Sequence, residues 1–232
     1  MDTETIIIIA VVLLTDALFL FAFLKIRKKK REVKLNISTL AAEEGWEVLP
    51  AVNSSEVYRI RGRLSTGITW EMIGERKGGS NSSGSLQSTT WRTTDVELQD
   101  GVLAFGPGVG IKADGIDLGH GLIQRALRRM FGEELATELA DAEMIDVEGD
   151  QFTRHYSVFS DQPELAHRFL ADPLPSILVD WRSEKLPFPG LVFWKEGMQV
   201  KFTKVADDPE GIQKIIALCG VLALRGREVG NG

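Results

Sequence analysis

Nineteen consecutive positions, residues 6–24, hold fourteen Ile, Val, Leu or Phe, and the cations Lys25, Arg27, Lys28, Lys29, Lys30 and Arg31 follow directly. At 1.5 Å rise per residue such a run covers about 28 Å as a helix, close to the roughly 30 Å hydrocarbon core of a bilayer. The run therefore predicts one transmembrane helix. A cleaved signal peptide fits less well: the residues before the run include Asp2 and Glu4 rather than cations, the apolar core is long, and no A-x-A site follows. Cations flanking a span stay on the cytoplasmic side. The expected topology is single-pass in the cell membrane, with a short N-terminus outside and the C-terminal domain in the cytoplasm.

Asp16 lies near the middle of the run. A central Asp costs about 2.5–3.5 kcal/mol, and each strongly apolar residue returns about 0.3–0.6 kcal/mol, so the segment still inserts. An acid in this position usually faces a partner, a cavity or a proton path. In a lone span, Asp16 points to a homo-oligomer or to another membrane protein; the plainer reading is a protonated Asp beside Thr15. The collar residues Lys28, Lys29, Lys30 and Arg31 suit anionic lipid headgroups, at about 1 kcal/mol each. A stop-transfer signal alone also accounts for them.

Beyond the collar the balance reverses. From residue 35 onward there are 20 Lys plus Arg against 29 Asp plus Glu. An acidic domain argues against nucleic acid as the partner, because phosphate binding needs a basic face. Cys219 is the only cysteine, which excludes an internal disulfide and a thiolate metal cluster. The N-x-S triplets at Asn36, Asn53 and Asn81 matter only for a lumenal domain, and the topology read above makes them chance matches.

Along the domain, residues 33–44 read as a short helix stopped by Gly45. Period-two patterning over 56–61 and 68–76 predicts a hairpin, and strands over 89–98 and 102–105 extend it to a four-strand antiparallel meander. An amphipathic helix is expected over 121–140. Its cations Arg125, Arg128 and Arg129 come early and its acids late, against the helix dipole, which marks Gly132 as a break. These three arginines are also candidates for headgroup contact. A strand is expected over 151–160, a short helix over 174–183 and a hairpin joining 191–194 to 198–203. Asp161-Gln-Pro-Glu and Asp207-Asp-Pro-Glu read as the same helix start, used twice. A core helix over 212–225 closes the chain.

Several chemistries fail on spacing. The Gly/Ser tract from Lys77 to Ser85 lacks the Gly-Lys-Ser/Thr that opens a phosphate-binding helix. The acidic run from Asp141 to Asp150 misplaces the glycine and the final glutamate of a calcium loop. His120, His155 and His167 have no metal-ligand spacing, and no nucleophile elbow is present. No catalytic, cofactor or metal residue is assigned from sequence.

The run Phe152-x-x-x-Tyr-Ser-Val-Phe-Ser-Asp, then Ala166 and Leu170, and the Phe193/Phe202 hairpin with its closing helix resemble bacterial single-pass membrane-anchored proteins with a cytosolic α+β domain, a group of uncharacterised activity. The resemblance implies an anchor plus a domain and supplies no catalytic residue. The fold class expected is thus α+β: an N-terminal transmembrane helix, then a soluble domain of antiparallel strands packed with helices. Residues 1–34 form anchor and collar, 35–118 a β-rich half and 119–232 an α+β half, the two halves making one domain. The function expected is a membrane-anchored interaction or assembly module. The alternatives are a membrane-tethered enzyme with a site built from dispersed residues, or a lipid-surface sensor.

Overall fold

The computed structural model describes residues 3–77, 86–107, 128, 131–147, 150–181 and 189–230, and of the first helix it leaves out the side chains at 3–13, 16, 17, 26, 29 and 30. The Gly/Ser tract at 78–85, the glycine-rich loop at 108–110, His120, residues 121–127 of the expected amphipathic helix, Arg129 and the turn at 186–188 lie outside the described residues.

Helix α1 (Thr3–Glu43) runs unbroken for 41 residues. It contains no Gly or Pro, and nothing in the collar interrupts its backbone hydrogen bonding. The separate helix expected over 33–44 is therefore only its last stretch. Gly45 ends it as expected, at φ 69°, with the Trp46 amide donating to the Ala41 carbonyl at 2.7 Å. Val33, Ile37, Leu40 and Ala41 are buried on the domain side of the helix. Among the described residues no helix is long and apolar enough to cross a membrane.

The domain is built on one antiparallel sheet of nine strands. In chain order these are β1 (Glu47–Val48), β2 (Glu56–Arg63), β3 (Thr69–Lys77), β4 (Leu86–Thr93), β5 (Leu103–Pro107), β6 (Glu143–Ile145), β7 (Tyr156–Ser160), β8 (Gly190–Trp194) and β9 (Gly197–Phe202). Their order in space is β1-β2-β3-β4-β9-β8-β5-β7-β6. The meander is a correction: β5 does not pair with β4, because the β8–β9 hairpin lies between them. Both outer strands are short, two and three residues, which limits the unpaired edge.

Register explains the two faces. One row of paired residues crosses every strand: Val48, Ile60, Met72, Trp91, Val200, Leu191, Phe105, Val158 and Ile145. All are apolar, and the end of α1 packs over this face together with α4 (Pro163–Phe169), α5 (Leu174–Asp180) and α6 (Pro209–Gly230). The next row points the other way: Glu47, Arg61, Glu71, Arg92, Gln199, Val192, Ala104, Phe159 and Met144. Its first five members are polar and its last four apolar. A second cluster, with Phe131 and with Leu135 from α2 (Glu133–Glu138), covers the apolar half.

Three further expectations change. Phe152 belongs to the short helix α3 (Asp150–Thr153), not to a strand, and its ring stacks on that of Tyr156, the first residue of β7, at 4.9 Å. The final helix α6 runs beyond the expected 212–225, with 22 residues, ten of them buried. The two Asp-Pro starts also differ. Asp208 caps α6, its Oδ1 accepting from the Gly211 amide at 2.9 Å, whereas Asp161 accepts from the Val102 amide at 2.8 Å and fixes the approach to β5. Gly132, at φ 98°, does break the helix ahead of α2.

The buried polar residues Thr89, Thr93 and Ser160 are all hydrogen-bonded, each donating to a carbonyl: Lys204 at 2.9 Å, Thr69 at 2.7 Å and Val102 at 2.7 Å. One close approach is testable. The Tyr58 ring lies across its cross-strand partner Gly74, where a Cβ would fall 2.4 Å from the ring. Gly74→Ala should cost about 1–3 kcal/mol in chemical denaturation, since the buried ring must leave its place.

Candidate functional site

Two surfaces stand out. The first is on α1, where Leu14, Leu18, Phe19, Leu20, Phe21, Phe23 and Leu24 are 54–72 % exposed. At 100° per residue, positions 18–21 alone circle the helix, so the apolar surface is not a stripe. Next along the helix come the exposed Lys25, Lys28 and Arg31. Arg27 stands 5.6 Å from the centre of the Phe23 ring, and Lys28 lies 3.8 Å from Glu32. The side chains of Asp16, Lys29 and Lys30 lie outside the described residues, as do Arg125 and Arg129. Arg128 is exposed and pairs with Glu133 at 3.4 Å across the Gly132 break.

The second surface is a groove of about 1060 Å³ on the half-covered face of the sheet. It lies where the second row changes from Gln199 to Val192. Arg61, Glu71 and Arg92 line its polar side, and Phe131, Leu135 and Trp194 its apolar side. Sequence reasoning missed this site, because its residues come from five strands, from α2 and from the residues just ahead of α2. The available signal was that β5 and β8 are apolar at nearly every position, which marks strands covered on both faces, while β2 and β3 alternate.

Glu71 organises the polar side. Its side chain is only 12 % exposed, with Arg59 Nη1 at 3.1 Å from Oε1, and Arg92 Nη2 at 3.3 Å and Arg61 Nη2 at 3.7 Å from Oε2. Arg59 is further occupied by Glu56, to which it donates from Nε at 3.2 Å and from Nη2 at 2.8 Å. Arg61 and Arg92 share one carboxylate oxygen while half exposed, and each guanidinium has five donors. They can therefore accept a further acidic group. The far rim carries Glu133, Glu138 and Glu196, with Glu138 3.3 Å from Lys195. Asp95 on the near rim accepts from the Thr69 amide at 2.6 Å.

Among the described residues the lining holds no His, Cys or Ser; its hydroxyls are Thr69, Thr93 and Thr94, beside the carboxylates already named. Among the described residues no group of three or more His, Cys, Asp or Glu is placed to hold a metal ion. The groups with displaced pKa values lie away from the groove lining. Burial pushes Tyr58, Tyr156 and the Cys219 thiol up. For Glu56, burial pulls the carboxyl up, but the Arg59 hydrogen bonds and the Val52 amide outweigh it and hold it below its usual value.

Two outcomes follow from this charge network. Glu71→Ala leaves Arg59 on Glu56 but takes from Arg61 and Arg92 the carboxylate oxygen they share, and should cost about 2–4 kcal/mol, measured by urea unfolding. A lowered folded-state pKa on Glu56 adds stability above the unfolded value, which is lost as pH falls. Stability should thus decline from about pH 4.5 downward, and Glu56→Gln should flatten that limb. No family model and no curated protein matches the chain.

Proposed function

We propose that this chain is a single-pass membrane protein whose α+β domain serves, at the cytoplasmic surface, as an interaction or assembly module. The observation that carries the reading is the apolar surface around α1 at residues 14–24. Keeping seven large Leu and Phe side chains mostly in water forgoes on the order of 10 kcal/mol of burial. A protein partner would cover one stripe of such a helix, whereas lipid covers all of it. The residues at 6–13 continue the same composition, and the cations after Leu24 supply the stop and the orientation.

The groove supports interaction over catalysis. Paired arginines beside Trp194, Phe131 and Leu135 suit a partner segment that brings an acidic side chain next to an apolar one. Flotation of the full chain with phosphatidylcholine vesicles tests the anchor. The protein should float and resist an alkaline carbonate wash, and Leu18→Lys with Phe21→Lys should abolish this. A wild-type chain that stays in the aqueous fraction would contradict the reading. For the groove, Arg61→Ala with Arg92→Ala should remove crosslinked partners from native membranes while leaving flotation intact.

A further inference from the structure

Whether the domain hangs from its anchor or stands on it depends on the segment between residues 24 and 33. A flexible tether needs Gly, Pro, Ser or a break in helical hydrogen bonding at that place. Here α1 is one helix from Thr3 to Glu43, without Gly or Pro. Its far end is not merely adjacent to the domain. Val33, Ile37 and Leu40 belong to the same buried cluster as Ile60, Met72 and Trp91, and the helix touches β1, β2 and α6. Glu44, just past its end, accepts from Gln213 Nε2 at 2.7 Å, which ties it to α6.

We infer that α1 is a rigid strut that fixes the height and rotation of the sheet domain over the bilayer, and this rests on the membrane reading above. Nine helical steps lead from Leu24, the last of the apolar run, to Val33, the first residue docked. At 1.5 Å each they span about 13 Å. The headgroup layer on one side of a bilayer takes up about 5–8 Å of that height, the depth that the collar cations Lys25 to Arg31 occupy. The domain then starts roughly one helical turn above the headgroups. Rotation is fixed as well, because each inserted helical residue turns everything above it by about 100°.

The test uses the full chain in nanodiscs containing phosphatidylserine. Val52→Cys, at a position 73 % exposed, takes a donor dye, and Cys219 is buried and stays unlabelled. Acceptors sit on lipid headgroups, and single-molecule energy transfer reports the height distribution. The wild-type strut gives one narrow population. Four helix-forming residues inserted after Lys30 raise it by about 6 Å without broadening, and Gly-Gly-Ser-Gly at the same place broadens it. A wild-type distribution as broad as that of the glycine variant overturns the strut while leaving the anchor intact. Failure of the protein to enter nanodiscs at all overturns the anchor, and the strut with it.

Discussion

The row of paired apolar residues from Val48 to Ile145 is the constraint on which the rest of the fold depends. It crosses all nine strands, and its seven inner members, Ile60 to Val158, are buried. Each adds a cross-strand contact to a burial term, and a register slip of one residue would turn a whole strand's apolar set to the wrong face. The helices are secondary to this row. α4, α5 and α6 cover it, and α1 joins them through Val33, Ile37 and Leu40. The end of α1 is thus held by the same core that holds the sheet, and unfolding one releases the other.

The opposite face follows from the same register. Once the first row is committed to the core, its neighbours must face outward, and they divide at the β9–β8 boundary. On one side Glu71 gathers Arg59, Arg61 and Arg92 in a solvated charge ladder; on the other, Val192, Ala104 and Phe159 need a cover and receive Phe131 and α2. The groove is the seam between a face that can stay wet and one that cannot. That origin explains why it offers charge beside apolar surface.

Local signals in the sequence were legible where one residue decides the outcome. Gly45 and Gly132 stop helices through positive φ, the Asp-Asp-Pro-Glu start opens α6, period-two patterning marks β2 and β3, and the Glu196-Gly197 turn marks the β8–β9 hairpin. Period two identifies a strand but not its neighbour, so the place of β5 beyond an inserted hairpin was not readable. Phe152 misled because it shares parity with Tyr156 and Val158 and so reads as the same strand face, whereas the chain passes from α3 to β7 between Phe152 and Tyr156. Asp161 and Asp207 hold the same place before Pro and Glu, yet the Val102 amide took the first carboxylate and Arg76 the second, and the cap on α6 falls to Asp208, one residue later. The groove was hidden for the reason β5 was: Arg61, Arg92 and Trp194 meet only through pairings far apart in the chain.

The central claim is that lipid, not a protein partner, surrounds the exposed part of α1 while the other end of the helix belongs to the domain core. Spin labels placed singly at Leu18, Phe19, Leu20 and Phe21 in vesicles test it most directly, through collisions with oxygen and with a water-soluble nickel chelate. The account predicts high oxygen and low nickel access at all four positions, with no helical period. High nickel access, or one face shielded from both reagents, would contradict it.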